Sequence, residues 1–326
     1  MLKKILVTGG AGYIGSHTCL KLKELGMMPV VYDNLVYGHR ESVIDWDLFE
    51  GDLADENKLD NLFRDEKFDA VIHFAAYAYV GESVKNPEKY YINNVGNGLC
   101  LLGKMLKYNV KNLIFSSTCA TYGEPCQDLI NENHPQNPIN PYGESKLIFE
   151  KILKNYRDAY GLNSISLRYF NAAGAEPQAR IGESHDPETH LIPLVLKAAT
   201  GENSEITIFG DDYQTDDGSC IRDYIHVMDL AEAHILALNK LFSGNYRTCY
   251  NLGNGRGFSV KEVINCAREV TGCQIKSNIA ARRPGDPARL VADATLAKKD
   301  LGWNPNYVDL RDIILTAWKW EQKKRF

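Results

Sequence analysis

The chain has 326 residues, 44% hydrophobic and 24% charged, with a formal net charge of -5 at pH 7. This is the balance of a globular protein with one large domain or two smaller ones, and its sign gives no attraction to nucleic acid or anionic lipid. No apolar run approaches the roughly 20 residues of a membrane span, and Met1-Leu2-Lys3-Lys4 leads directly into a strand, so neither a membrane helix nor a signal peptide is expected and the expected compartment is the cytoplasm.

The first strand, Lys3-Lys4-Ile5-Leu6-Val7-Thr8, empties into Gly9-Gly10-Ala11-Gly12-Tyr13-Ile14-Gly15. Gly9 or Gly10, with Gly12 and Gly15, supplies a tight turn, bare backbone beside a pyrophosphate and close helix–strand packing. The helix that follows, Tyr13 to Leu25, turns its first amides toward that anion. The next strand, Pro29-Val30-Val31-Tyr32, ends at Asp33, about twenty residues beyond the glycines. A carboxylate there accepts from the adenosine ribose hydroxyls and repels a 2′-phosphate, so NAD is expected in preference to NADP. Leu48-Phe49-Glu50 precedes Gly51-Asp52-Leu53. A helix is expected from Glu56 to Arg64, a buried strand from Ala70 to Phe74, a long helix from Tyr90 to Tyr108 and a strand over Asn112 to Phe115. This alternation predicts an α/β fold, a doubly wound parallel sheet of the Rossmann kind, with ligands at the carboxyl ends of its strands. The glycine loop, Asp33, Asp52 and Ser116-Ser117-Thr118 all emerge at that edge.

A Pro/Asn-rich loop, Asn131 to Pro141, delivers a helix from Tyr142 to Tyr160 and a strand from Ile165 to Phe170. Beyond Asn171 the rhythm breaks into Gly-, Pro-, Asp- and Glu-rich loops (Ala172 to Thr189, Gly210 to Ser219), a short helix Ile192 to Thr200 and a strand Ile206 to Phe209. The expected division is an NAD-binding domain over residues 1–171 and a smaller substrate-binding domain over 172–326. Residues 230–252 are expected to return to the large sheet. The eight cysteines include no C-x-x-C pair and read as reduced thiols, with no metal site expected.

Tyr142-Gly143-Glu144-Ser145-Lys146 places a phenol and an ammonium at i and i+4 on one helix face. A nearby lysine cation, with a positively charged nicotinamide ring added, favours the phenolate, so the pKa of Tyr142 is expected to fall and fit it for proton transfer. With these motifs in hand, the chain resembles the extended short-chain dehydrogenase/reductase family, within it the NAD-dependent nucleotide-sugar 4-epimerases. Besides the glycine loop and the Tyr-x-x-x-Lys segment, the resemblance rests on Tyr32-Asp33-Asn34, Gly51-Asp52, His73-Phe74-Ala75-Ala76 and Val80-Gly81-Glu82-Ser83. It continues through Arg168-Tyr169-Phe170-Asn171, Arg222-Asp223-Tyr224-Ile225-His226-Val227, Tyr250-Asn251-Leu252-Gly253 and Arg282-Arg283-Pro284-Gly285-Asp286.

The resemblance implies an isomerase of galactose metabolism that interconverts UDP-galactose and UDP-glucose through a 4-keto sugar, with hydride passing transiently to NAD. It further implies that Tyr142 takes the proton of the 4-hydroxyl, that Lys146 tunes Tyr142 and holds the nicotinamide ribose, and that Thr118 hydrogen-bonds the sugar oxygen. Cofactor contacts carried over are Gly9, Gly12, Tyr13, Ile14, Gly15, Asp33, Asn34, Asp52, Leu53, Phe74, Ala75, Ala76, Asn93, Lys146 and Phe170. On the substrate side they are Thr118, Tyr142, Asn171, His190, Leu191, Arg222, Arg283, Asp286 and Leu290. The guanidinium groups suit a diphosphate. The resemblance also implies a homodimer joined through the helices near Tyr90 to Tyr108 and Tyr142 to Tyr160.

Two features depart from relatives. Phe74-Ala75-Ala76-Tyr77-Ala78 lacks a lysine that some of them carry, which implies looser cofactor retention, and Leu290 stands where some have a tyrosine that excludes 2-acetamido sugars. Smaller bulk at Leu290 extends the expected substrates to UDP-N-acetylhexosamines. Epimerases of a uronate or pentose, a 4,6-dehydratase and a non-catalytic NAD-binding regulator are the competing readings. Cys119-Ala120 after Thr118 offers no carboxylates for a dehydration, and a regulator needs no proton relay. His73 and His226 read as structural residues; His190 is the histidine expected near a uridine.

Overall fold

The computed structural model describes residues 2–283 and 286–326, so Pro284 and Gly285 of the Arg-Arg-Pro-Gly-Asp motif lie outside the described residues. The strands in chain order begin with β1 (Lys4–Thr8), β2 (Met28–Asp33), β3 (Asp47–Glu50), β4 (Ala70–His73), β5 (Asn112–Ser116) and β6 (Asn163–Tyr169). They continue with β7 (Asn171–Ala173), β8 (Ile206–Phe209), β9 (Ile221–His226), β10 (Cys249–Leu252), β11 (Gly257–Ser259), β12 (Ser277–Ala280) and β13 (Arg289–Leu290). Seven of these form one sheet in the order β3-β2-β1-β4-β5-β6-β10, every neighbouring pair parallel. Strand order reverses between β1 and β4, which opens a crevice at their carboxyl ends.

Both faces of the sheet are covered. The helices are α1 (Tyr13–Glu24), α2 (Glu56–Asp65), α3 (Val80–Lys85), α4 (Pro87–Tyr91), α5 (Gly98–Lys107), α6 (Pro141–Tyr160), α7 (Leu191–Thr200) and α8 (Val227–Phe242), followed by three more toward the carboxyl end. On one face Cys19 and Leu22 of α1 and Leu230, Ile235 and Leu238 of α8 join Ile5, Val7, Val31 and Ile72 in one fully buried cluster. On the other, Leu59 and Phe63 of α2, Leu101 and Met105 of α5 and Phe149 of α6 cover Leu6, Val71 and Phe115. A second small sheet forms around β9, which pairs with β7, β11 and β13, and β8 pairs with β12.

The long helix expected over Tyr90 to Tyr108 is one continuous helical run from Pro87, with a π-helical stretch, Ile92–Asn97, between α4 and α5. The wider turn carries Asn94 inward, where it accepts from the Tyr77 amide at 2.9 Å and donates to the Tyr77 carbonyl and Ser145 Oγ, each at 3.0 Å. Helix α6 starts where the sequence signals place it. Asn140 Oδ1 accepts from Gly143 N at 2.8 Å, Pro141 opens the first turn, and Gly161 at φ 67° ends the helix. A Cβ on Gly143 would collide with the Ala120 carbonyl, so glycine lets the α6 N-terminus press against the segment after β5.

Candidate active site

The glycine loop joins β1 to α1. Gly9 takes φ 73°, and a Cβ there would lie 2.6 Å from the Ala75 amide nitrogen. Gly12 caps α1 with no side chain, and the first turn holds no acidic residue, so the helix start is open to an anion. At the end of β2, the Asp33 carboxyl accepts from Ala11 N and Leu35 N, both at 2.9 Å. Burial raises its pKa while those amides work against the rise. Asn34 Nδ2 donates to Asp52 Oδ2 at 2.7 Å, which links the ends of neighbouring strands. The cap of α2 is Asp55, accepting from Lys58 N, which leaves Asp52 for Asn34.

The amides of Phe74 and Ala75 donate to the Thr8 carbonyl at 2.9 and 3.0 Å, and Ala76 is half-buried beside them. Leu53 and Phe170 are buried, Ile14 is half-buried against the core, and Asn93 Nδ2 donates to Asn94 Oδ1 at 3.0 Å. Tyr13 directs its hydroxyl to the Gly174 carbonyl at 2.6 Å, fastening the start of α1 to the segment after β7.

Just beyond β5, the Thr118 hydroxyl lies near enough to the Tyr142 phenol to favour its ionised form. Lys146, one turn on and 3% exposed, donates from Nζ to the Ser116 carbonyl at 2.9 Å and lies 4.9 Å over the Phe115 ring. The protein groups by themselves do not lower the Tyr142 pKa. Burial pushes the phenol up to about 12, with Thr118 opposing it. Burial also pulls Lys146 down to about 7, opposed by the Glu150 carboxylate. The Lys146 amino group is engaged by a carbonyl, and desolvation is the largest influence on the phenol.

On the substrate side, Asn171 Nδ2 donates to the Asp223 carbonyl at 3.0 Å. Arg222 of β9 donates to its neighbour's carbonyl at 2.7 Å and pairs with Asp286. Arg283 lies 3.9 Å over the Phe209 ring. Leu290 pairs in register with Arg222 and packs against the buried cluster of Tyr122, Ile130, Phe170 and Ala292. Cys119, the residue that follows Thr118, borders the same cluster. Leu191 opens α7, partly buried against the core of Ile192 and Val195. His190 stands apart in kind, because it is tied to Glu183 at 2.8 Å and Glu188 at 3.2 Å. Burial works to lower its pKa, but those carboxylates push it up to about 10. His73 shares a proton with Thr8 Oγ1 at 2.7 Å and His226 with Thr316 Oγ1 at 2.9 Å, both buried and structural.

Sequence reasoning missed the support behind Lys146. Arg168 of β6 grips Glu150 of α6 through Nε at 2.9 Å and Nη2 at 2.6 Å. Ser117 donates to Glu150 Oε1 at 2.5 Å, and Arg168 Nη1 donates to Tyr122, whose hydroxyl donates to Asn251 of β10 at 2.6 Å. The available signal was Arg168 itself: an arginine inside an apolar strand needs a buried acidic partner.

The model of the NAD dependent epimerase/dehydratase family matches residues 5–253. A UDP-glucose 4-epimerase of Halalkalibacterium halodurans is 55% identical over 98% of this chain and 96% of its own length. The crystal structure of a Brucella ovis UDP-glucose 4-epimerase in complex with NAD is 50% identical, with a TM-score of 0.95 and 97% of each chain covered. A Bifidobacterium longum UDP-glucose 4-epimerase in complex with NAD+ and UDP is 38% identical, with a TM-score of 0.93 and 99% of each chain covered.

Proposed function

The chain belongs to the NAD dependent epimerase/dehydratase family, and from that premise we propose that it interconverts UDP-galactose and UDP-glucose by inverting carbon 4. The observation that carries this reading is the Thr118 hydroxyl beside the Tyr142 phenol, with Lys146 buried one turn on and bound to the Ser116 carbonyl, at the same sheet edge as the glycine loop. Bound NAD supplies a hydride acceptor and donor at that edge. The open α1 N-terminus and the bare Gly9–Gly15 loop fit its pyrophosphate, and Asp33 and Asn34 fit its adenosine ribose. Thr118 orients the sugar 4-oxygen, and Tyr142 takes and returns its proton. Arg222, Arg283 and Asn171 take the UDP diphosphate and the ribose beside it, Asp286 holding Arg222 in place. His190 and Leu191 face the uridine side. Loss of water is disfavoured because Thr118 is followed by Cys119-Ala120, without carboxylates. The enzyme works in the cytoplasm as a homodimer, for which exposed Val84, Tyr91, Ile92 and Leu99 along α3 to α5 supply an apolar face.

The test is incubation of purified protein with UDP-galactose, with and without added NAD. Conversion to UDP-glucose without accumulation of reduced cofactor is expected. A folded protein that leaves UDP-galactose unchanged in excess NAD would remove the reading.

Asp33→Ala is expected to narrow the preference for NAD over NADP, because no arginine follows at Asn34-Leu35-Val36 and the carboxylate is the feature that repels a 2′-phosphate. Titration of both cofactors into both proteins checks this; equal affinities in the unaltered protein would contradict it. Leu290 sets substrate breadth. Activity on both UDP-galactose and UDP-N-acetylgalactosamine is expected, and Leu290→Tyr should depress the acetylated reaction much more than the plain one, since the added ring penalises only the larger sugar. Inactivity of the unaltered protein on the acetylated sugar would defeat it.

A further inference from the structure

We infer that Glu183, His185, Glu188 and His190 form a binding site for one divalent first-row transition metal, zinc by preference, beside the glycine loop. One ligand atom from each residue lies within 4.8 Å of all the others. The contacts alternate nitrogen and oxygen: Glu183 to His185 at 3.3 Å, His185 to Glu188 at 3.5 Å, Glu188 to His190 at 3.2 Å and His190 to Glu183 at 2.8 Å. Glu188 meets the two histidines with different oxygens and one atom per residue lies within 4.8 Å of the others, so closing on a tetrahedral zinc, with bonds of about 2.0 Å and donors about 3.3 Å apart, takes a rotation of the Glu188 carboxylate and small shifts of the rest. Two imidazoles and two carboxylates also make a donor set of suitable softness and charge for that ion.

Hydrogen bonding accounts for one contact of the cluster, His190 Nδ1 to Glu188 Oε1, and not for the convergence of the rest. Both histidines turn the same nitrogen, Nδ1, toward both acids, and one N–H serves one acceptor well. Glu183 Oε1, His185 Nδ1 and Glu188 Oε2 are buried without an aligned hydrogen bond, and the Glu183 side chain is only 6% exposed. The backbone that carries the ligands is fixed from outside, as outer partners fix metal ligands. Trp320 Nε1 donates to the Glu183 carbonyl at 2.8 Å, and the amides of Thr189 and His190 hold Glu188 Oε1, each at 2.8 Å. The His185 ring stands edge-on to Tyr13 at 6.2 Å. A metal there ties the loop before α7 to the residue that opens α1.

The experiment uses the full chain freed of metal with a chelator and then titrated with zinc chloride or cobalt chloride. One zinc per chain is expected by elemental analysis, with a higher melting temperature. The cobalt form should show visible bands of nitrogen and oxygen ligation and no thiolate charge-transfer band. His185→Asn and Glu183→Gln should each weaken zinc binding at least about a hundredfold and abolish the thermal shift. Cys126→Ser, altering an exposed thiol 3.3 Å from His134, should change neither. The cobalt spectrum needs no variant, so poor folding of a substituted chain leaves the test intact. Absence of bound metal, a thiolate band, or zinc affinity in the two ligand variants equal to that of the unaltered chain would each overturn the site and leave an ion-paired cluster.

Discussion

Replacing Tyr142 with phenylalanine is expected to lower turnover by about two to four orders of magnitude, the range for a positioned acid–base group, while the protein still folds and binds NAD. The ring remains, so the contact with Tyr90 and the start of α6 are preserved; only the oxygen that meets Thr118 is lost. The starting state sharpens the expectation. With the phenol held up at about 12 by burial, Tyr142 is not poised as a base on its own. The proton must leave as charge is rearranged around it, and the Thr118 hydroxyl is too weak a base to take the place of the phenol. Single-turnover rates and cofactor titration on the same preparation separate chemistry from binding. Lys146→Met should be severe as well. A Tyr142→Phe enzyme with unaltered turnover would take the tyrosine out of the mechanism.

The second large effect is on stability. Arg168→Met should lower the unfolding free energy by about 3–5 kcal/mol, the cost of leaving one partner of a buried ion pair uncompensated. The side chains of Arg168 and Glu150 are 7% and 9% exposed, so water offers little relief to the stranded carboxylate. Arg168→Met with Glu150→Leu should recover much of the loss, since the buried charge is then gone. Urea unfolding of the single and double variants measures both values. A single variant within about 1 kcal/mol of the parent would show that Ser117 and Gln136, which also reach Glu150, suffice to hold it.

The sheet was legible because its signals are local. The runs of β1, β2, β3, β5, β8 and β10 end at or just before glycine, aspartate or serine, and β8 and β10 fall where their runs do. The first and last turns of α6 carry explicit caps at Asn140 and Gly161. What stayed hidden depends on distant pairing. β7, β11 and β13 span three, three and two residues and are strands only because β9 lies beside them. β12 is largely exposed and lacks the buried alternation that marks a strand. The π-helical stretch has no marker of its own, since Asn94 reads as an ordinary polar helix residue until Tyr77 and Ser145 are placed against it. The same holds at the site. Tyr142 and Lys146 are a helical spacing, whereas Glu150, Arg168, Tyr122 and Asn251 become one network only through the register of β5, β6 and β10.

The seventh strand of the large sheet has a bearing on how the protein is made. Synthesis runs from the amino end, yet β6 gains its outer partner only when residues 249–252 arrive, and α1 gains its cover only with α8. While the intervening 79 residues between β6 and β10 emerge, the nascent chain presents a bare parallel strand edge and an uncovered apolar helix face. At roughly 5–20 residues per second, that interval lasts several seconds. An edge with unpaired amides and carbonyls is a template for another chain, so the ribosome-bound intermediate, more than the finished molecule, is where this fold is most open to aggregation and most in need of a chaperone.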